Sequence, residues 1–359
     1  MPTHSLLLVL GVLLGMGGAS FAVALPMAGS SYPPKVQGLV LGLAAAGNIG
    51  AVVDGFLFPT LAQHFGWQRS TAAALPLLAL TALAVLLLGE DRSAKSGSRT
   101  RGFLGFAVSM ICLLVLVGAV SAGWFGHGKT GLLLLPVLGA AVAFAVLPGK
   151  YRRVLAERDT WVIMLVYSIT FGGFVGMSSY VSLLLTTQYE LSKVDAGVIM
   201  AALSFMGAMV RPIGGYLADR LSGVKVLMVL LIAIALGNLG FAVLMPPLMG
   251  AVALLTCLYL CFGLGNGATF QLVPHRWKGK TGLMTGIVGA AGGIGGFYLP
   301  VVMGIAKEST GSYQLGFATF GVLAAVASVF IVVLQRQWRA WSAPEATQLP
   351  LAFAIAPTE

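Results

Sequence analysis

The sequence predicts an all-α integral membrane protein, and two features of its composition indicate this fold class. Of the 359 residues, 58% are hydrophobic and only 9% are charged, whereas about 25% of the residues in a soluble domain are charged. Apolar stretches of about 20 residues, long enough to cross a bilayer as helices, recur along the whole chain. This small number of charged side chains could not cover the surface of a soluble protein. The lipid bilayer is therefore expected to surround most of the chain.

Eleven transmembrane helices are predicted, each from one apolar stretch. The predicted spans are residues 5–27, 37–62, 70–89, 102–122, 131–148, 160–187, 195–217, 225–245, 250–274, 281–306 and 312–335. The first stretch has no Lys or Arg before it and exceeds the apolar core of a signal peptide, which favours a retained helix. The sixth, seventh, ninth and tenth stretches are long and bounded by charged residues or Pro, whereas the fifth is short. The residues after 335 are predicted to form a tail.

The distribution of basic residues predicts the orientation of these helices. Lys and Arg outnumber Asp and Glu by 21 to 11, and sixteen of the basic residues fall in one set of alternate loops against four in the other. Because basic loops are retained on the cytoplasmic side, the N-terminus is predicted outside and the C-terminus inside. This topology accounts for the positive charge without nucleic acid as a partner.

Residue types that carry enzymatic or metal chemistry are scattered. Cys112, Cys257 and Cys261 lie inside apolar runs, where packing is a more common use than a disulfide or a metal site. The four His residues lie in loops and at segment ends, and the sequence contains no HExxH motif, nucleophile elbow or paired catalytic carboxylates. The sequence therefore predicts neither an enzyme nor a cofactor.

Two pairs of predicted helices resemble each other. The first and second helices form one pair, and the ninth and tenth helices form the other. The matching positions are Phe21 with Phe270, Pro26 with Pro274, and the glycine-rich stretch 46–50 with 291–295. A basic loop separates the two helices in both pairs. Duplicated helix pairs are typical of transporters built from two related bundles, with the substrate site where the bundles meet.

Several motifs resemble those of known transporters. The stretch GYLADRLSG at 215–223 resembles the short acidic and basic loop signature of the major facilitator superfamily. The stretches AAAGNIGAVVDGFLFP, GIVGAAGGIGGFYLP, YSITFGGFVGMSSY and GLGNGATFQLVP resemble, more narrowly, the nitrate/nitrite porter family, also called NarK-like. The resemblance covers about residues 15–90 and 160–335. It implies the superfamily's transporter fold and an inner-membrane carrier that moves nitrate or nitrite by alternating access.

The resemblance also implies a domain organisation. The superfamily places its repeats six helices apart, whereas the repeats here are eight apart, so a helix pair is expected to be inserted and three helices to be absent before residue 1. The expected parts are a partial N-terminal bundle at 1–90, an inserted pair at 91–159, a C-terminal six-helix bundle at 160–335 and a cytoplasmic tail at 336–359. A truncated chain, a mis-assigned start or a natural split would each explain such a count, and a second chain could supply the missing segment.

Arg211 and Tyr167 are the first candidates for a substrate site. Arg211 is the one basic residue that falls inside a predicted span, where its charge costs about 3 kcal/mol or more unless it faces a polar cavity or a counter-charge. Its planar fork suits a planar oxyanion, although it could also extend to the membrane surface or pair with Asp219. The family resemblance implies one Arg from each bundle at the anion, and Arg211 matches the C-terminal one. Tyr167 is predicted at a similar depth, where its hydroxyl could donate to the same anion.

Four further residues are candidates with weaker support. Asn48 could donate to the anion or join two helices. Phe21 and Phe270 resemble the aromatic pair that encloses a planar anion in the family, although a Phe in an apolar helix usually packs. Asp54 departs from the family pattern, and it could couple protons to transport or make a structural contact.

The leading functional hypothesis is therefore nitrate or nitrite transport, with anion exchange favoured because Arg does not titrate. A proton-coupled exporter of small organic molecules is an alternative that Asp54 and the extra helix pair would suit. A transport-dead sensor or assembly partner is another, because half of the expected anion clamp is missing. The sequence leaves open which of the two anions is carried and in which direction.

Overall fold

The computed structural model describes residues 3–30, 32, 37–45, 47, 50–89, 99–124, 129–147 and 149–342. Within these ranges the regular structure is entirely helical, which confirms the predicted fold class. The helices are α1 (His4–Ser30), α2 (Gln37–Ala45), α3 (Gly50–Phe65), α4 (Trp67–Ala72), α5 (Leu75–Leu88), α6 (Arg99–Ser121), α7 (Lys129–Val146), α8 (Gly149–Leu155), α9 (Arg158–Gln188), α10 (Lys193–Met209), α11 (Arg211–Leu221), α12 (Gly223–Leu244), α13 (Leu248–Arg276), α14 (Thr281–Thr310) and α15 (Gln314–Ser342).

Eight helical spans within the described residues are long and apolar enough to cross a membrane. They are Trp67–Leu88, Gly102–Ser121, Arg158–Gln188, Lys193–Leu221, Gly223–Leu244, Leu248–Arg276, Thr281–Thr310 and Gln314–Trp338. Each of the eleven predicted segments coincides with one or two helices, so the predicted count is compatible with the structure. The structure adds the short helix α8 where the sequence predicted a loop, and α15 continues to Ser342 beyond the predicted start of the tail. The chain is a multi-pass membrane protein.

The chain divides into two compact units. Unit 1 comprises Met1–Met16, Asn48–Pro148 and Ser178–Phe205, and unit 2 comprises Gly17–Gly47, Gly149–Met177 and Met206–Glu359. In unit 1, α6 packs on α7, and α5 has no buried residue although it is apolar throughout. An exposed apolar helix of this kind is what a lipid environment permits and water does not.

The core of unit 2 is built around α12, which packs against α13 and α15. Its inner face carries buried residues at helical spacing: Leu227, Leu231, Ile234, Asn238 and Phe241. Phe241 stacks on Phe317 of α15 with ring centroids 4.0 Å apart. Three candidate residues of this unit, Tyr167, Arg211 and Phe270, lie on the part of α9 up to Met177, on α11 and on α13.

The predicted helix at 195–217 corresponds to one membrane span, Lys193–Leu221, with a local irregularity at Val210. α10 ends at Met209 and α11 begins at Arg211, with Pro212 in the first turn of α11. Pro212 has no backbone N–H, so it cannot donate to the carbonyl one turn earlier, but Val210 keeps helical torsion angles and accepts a hydrogen bond from Gly214 at 3.1 Å. Arg211 therefore lies in the middle of a continuous span.

Glycines bring α11 and α13 into backbone contact. A Cβ atom at Gly214 of α11 would overlap the carbonyl oxygen of Leu264, and one at Gly267 of α13 would overlap the carbonyl oxygen of Arg211. Any larger residue would separate the two helices. The close approach sets the side chains of α13 next to the helix that begins at Arg211.

Candidate functional site

The candidate site is built around the guanidinium of Arg211. Arg211 is 0% exposed and is the only charged residue that is buried within the described part of the chain. Its Cζ lies 4.4 Å from the ring centroid of Phe174 and 5.7 Å from that of Phe171, both on α9. Aromatic faces attract a cation, and this attraction offsets part of the cost of burying the charge. The guanidinium also presents a rigid fork of N–H donors, which matches an oxyanion.

Tyr167 of α9 brings a hydroxyl to the same cluster. The side chain is 0% exposed, and its hydroxyl has no hydrogen-bond partner among the described residues. Its ring stacks on Phe171 at 5.1 Å and meets Phe270 of α13 edge-on at 4.9 Å, so Tyr167 and Arg211 both contact Phe171. Because buried hydroxyls in proteins are nearly always hydrogen-bonded, this one is available to donate to a bound ligand.

The glycine-rich stretch of α14 packs against this cluster. A Cβ atom at Gly292 would lie 2.6 Å from Tyr167 and 2.7 Å from Phe171, so the absence of a side chain at Gly292 allows these rings their present positions. The hydroxyl of Ser168 donates to the carbonyl of Ala291 at 2.8 Å and joins α9 to α14 at the same level. The glycines of this motif therefore shape the site without contributing chemistry to it.

A second polar cluster joins the ends of α9, α13 and α15. Arg276 pairs with Asp159 at 2.7 Å and with Glu157 at 3.1 Å. The indole of Trp277 donates to Glu157 and that of Trp338 donates to Asp159, both at 2.9 Å. This cluster is separate from the Arg211 site, since Asp159 precedes Tyr167 by eight residues, or about 12 Å of helix.

Asp219, at the end of α11, accepts a hydrogen bond from the backbone N–H of Leu39 at 3.2 Å. Leu39 lies in the first turn of α2, where backbone N–H groups lack helical partners and attract a negative charge. The carboxylate therefore has a role at a helix terminus, on the loop whose sequence resembles the superfamily signature.

Comparison with known proteins identifies the family. The family model described as Major Facilitator Superfamily matches residues 1–277. A nitrite extrusion protein of Bacillus subtilis is 30% identical over 331 residues, which cover 92% of this chain and 71% of that protein. The chain belongs to the nitrate/nitrite porter family of the major facilitator superfamily.

Other relatives and one solved structure are consistent with this family membership. A probable nitrate/nitrite transporter NarK2 of Mycobacterium tuberculosis is 30% identical, with 94% of this chain and 74% of that protein covered. A probable nitrate transporter NarT of Staphylococcus haemolyticus is 29% identical, with 90% and 72% covered. The crystal structure of the superfamily transporter FucP in the outward conformation matches with a TM-score of 0.52 at 15% identity, covering 87% of this chain and 72% of FucP. The FucP match shows the fold alone.

The structure brings together three of the residues that the sequence singled out in this porter, namely Arg211, Tyr167 and Phe270. Phe21 lies in α1 and Asp54 in α3, and their side chains are outside what the structure describes. Asn48 is outside the described residues altogether.

Sequence reasoning missed three residues of the cluster: Phe171, Phe174 and Asn266. Phe171 could have been found, because it follows Tyr167 by one helical turn and so shares its face. Asn266 precedes Phe270 by the same interval. Phe174 could have been found in the same way, because it follows Tyr167 by seven residues, or two helical turns. Gly292 meets the cluster through a contact between helices, which no spacing within one helix reveals.

The porter also has an apolar cavity of about 320 Å³ among α9, α14 and α15. Ser168, Tyr298 and Phe320 are among its lining residues, none of which is charged. An anion would lose its hydration there without gaining a counter-charge, so this cavity is a poor candidate for the anion site.

Proposed function

We propose that this porter carries nitrate or nitrite across the plasma membrane by alternating access, with its C-terminus in the cytoplasm. The observation that carries the proposal is the fully buried guanidinium of Arg211, which lies near the rings of Phe171 and Phe174, with the buried Tyr167 stacked on Phe171. The relatives named above are described as transporters of these two anions, and both anions are small, planar and singly charged.

The chemistry of the cluster suits such an anion in three ways. The guanidinium neutralises the negative charge and can donate two parallel N–H bonds to two oxygens. The hydroxyl of Tyr167 can donate to a further lone pair. The rings of Phe171, Phe174 and Phe270 exclude water, which strengthens both interactions by lowering the local dielectric constant.

We further propose that transport is an exchange of anions. Arg211 keeps its charge at any physiological pH, so a cluster without an anion leaves a buried cation to move with the reorienting helices. An anion bound in each direction compensates that charge, which favours reorientation of the loaded carrier over the empty one. Asp54 of α3 is the alternative, because its carboxyl group could bind and release a proton and so couple proton movement to transport.

The proposal is tested by replacing Arg211 with Lys. Arg211→Lys keeps the positive charge and removes the fork of donors, so affinity for nitrate and nitrite should fall at least about tenfold, or about 1.4 kcal/mol. Binding to the purified 359-residue chain in lipid nanodiscs is measured by titration calorimetry, with chloride as the non-planar comparison anion.

Arg220→Lys is the matched control, since Arg220 lies on the same helix α11 but is exposed, with its guanidinium over the ring of Tyr216. The control should bind both anions as the unsubstituted chain does. Equal affinities in Arg211→Lys and Arg220→Lys would assign Arg211 a structural role and contradict the proposal.

A further inference from the structure

Asn266 of α13 is a buried amide whose polar atoms lack protein partners. The side chain is 0% exposed, and neither Nδ2 nor Oδ1 has a hydrogen-bond partner among the residues that the structure describes. Asn238 of α12 is equally buried but donates its Nδ2 to the carbonyl of Ile234, one turn earlier in its own helix, at 2.8 Å. Asn266 does not make this local hydrogen bond, and a buried amide without one normally serves a ligand or a neighbouring side chain.

The helical spacing shows which way Asn266 faces. Phe262, Asn266 and Phe270 follow each other at intervals of four residues and so lie along one face of α13. At one end of this row, the ring of Phe262 lies 2.6 Å from where Gly173 of α9 would carry a Cβ atom. At the other end, Phe270 contacts Tyr167 of α9. Asn266 therefore lies between these two contacts, on the face of α13 that meets α9.

The residues on either side of Asn266 narrow its position further. Gly265 packs against Thr170 of α9, because a Cβ atom added at Gly265 would lie 2.6 Å from Cγ2 of Thr170. The hydroxyl of Thr170 already donates a hydrogen bond to the carbonyl of Val166 at 3.1 Å. Gly267 contacts the backbone carbonyl of Arg211. Asn266 thus lies between the helix that carries Tyr167 and the helix that begins at Arg211, at the level of the anion-binding cluster.

We infer that Asn266 is a further anion-contacting residue, whose Nδ2 donates to the oxyanion held by Arg211 and Tyr167. The inference rests on the proposed function, because it requires the anion to bind at Arg211. Three donors of different kinds then surround one anion: a charged fork, a hydroxyl and an amide. A donor from α13 adds the third helix of unit 2 to the site, so that α9, α11 and α13 all contact the substrate.

Asn266→Leu tests the inference. The variant keeps the branched shape of the side chain, with larger methyl groups, and removes both polar atoms, so the affinity of the 359-residue chain for nitrate and for nitrite should fall at least about tenfold, as for a lost hydrogen bond to a charged group. Its thermal stability should be unchanged or higher, because two buried polar atoms without partners have been removed. Asn238→Leu is the matched control and should bind both anions as the unsubstituted chain does.

Asn266→Asp is a second variant in case the leucine is poorly accommodated. It keeps the shape of the side chain and replaces the donor by an oxygen, so it should also lose anion affinity. Affinities in both Asn266 variants equal to that of Asn238→Leu would overturn the inference. If Arg211→Lys still weakens binding in that case, the proposed function stands without Asn266. Failure of the unsubstituted chain to bind either anion would overturn the proposed function and the inference together.

Discussion

Replacing Gly292 with Ala should disturb the proposed anion site through a single methyl group. The new Cβ atom would lie 2.6 Å from Cε1 and 2.7 Å from Cδ1 of Tyr167, and 2.7 Å from Cδ1 of Phe171. Carbon atoms pack at about 3.5–4.0 Å, so the rings would have to retreat by about 1 Å. Tyr167 has little room to do so, because its ring is stacked on Phe171 and meets Phe270 edge-on.

Gly293→Ala is the matched control, since no described atom lies within 4 Å of a Cβ atom at Gly293. Both substitutions replace Gly by Ala in the interior of α14 and should gain about 1 kcal/mol from helix propensity. Only Gly292→Ala incurs overpacking, which typically costs about 1–3 kcal/mol. The free energies of unfolding of the two variants should therefore differ by about 1–3 kcal/mol, with Gly292→Ala the less stable.

Anion affinity gives the functional measurement. A shift of about 1 Å misplaces the hydroxyl of Tyr167, and loss of a hydrogen bond to a charged ligand weakens binding by at least about tenfold. The free energy of unfolding is measured in mixed micelles of detergent and dodecyl sulfate, and nitrate and nitrite affinity by calorimetry. Equal affinities in Gly292→Ala and Gly293→Ala, together with weakened binding in Tyr167→Phe, would show that the ring does not depend on Gly292 and would refute the reasoning.

Two further predictions concern the helix ends and the coupling of transport. Arg276→Met should lower the free energy of unfolding by about 1–2 kcal/mol, because it breaks partly exposed ion pairs with two carboxylates. The anion affinity should not change. A tenfold change in affinity would instead link the cluster at the helix ends to the proposed anion site. Nitrate uptake into proteoliposomes should require nitrite or nitrate inside and be insensitive to an imposed pH gradient. Uptake into empty vesicles that a pH gradient drives and Asp54→Asn abolishes would instead demonstrate proton coupling.

The sequence alone predicts in part which residues of α9 and α13 share a helix face. Tyr167 and Phe171 are four residues apart, as are Asn266 and Phe270, so helical periodicity alone places each pair on one face. Pro212 similarly marks the local irregularity between α10 and α11, within the single span that the sequence predicted there. Periodicity describes one helix at a time, and the partner of each face is decided by how the helices pack.

The sequence by itself determined the membrane environment, the helices and Arg211 as the residue that needs a partner, because these follow from transfer free energies and local periodicity. Only the tertiary structure decided what surrounds Arg211. The rings of Phe171 and Phe174, the contact of Gly292 with Tyr167, and the position of Asn266 depend on α9 meeting α11, α13 and α14 within a few ångströms. Small residues such as Gly214 and Gly267 permit that approach. The distance between two packed helices depends on the surfaces of both helices, which the sequence of one helix does not reveal.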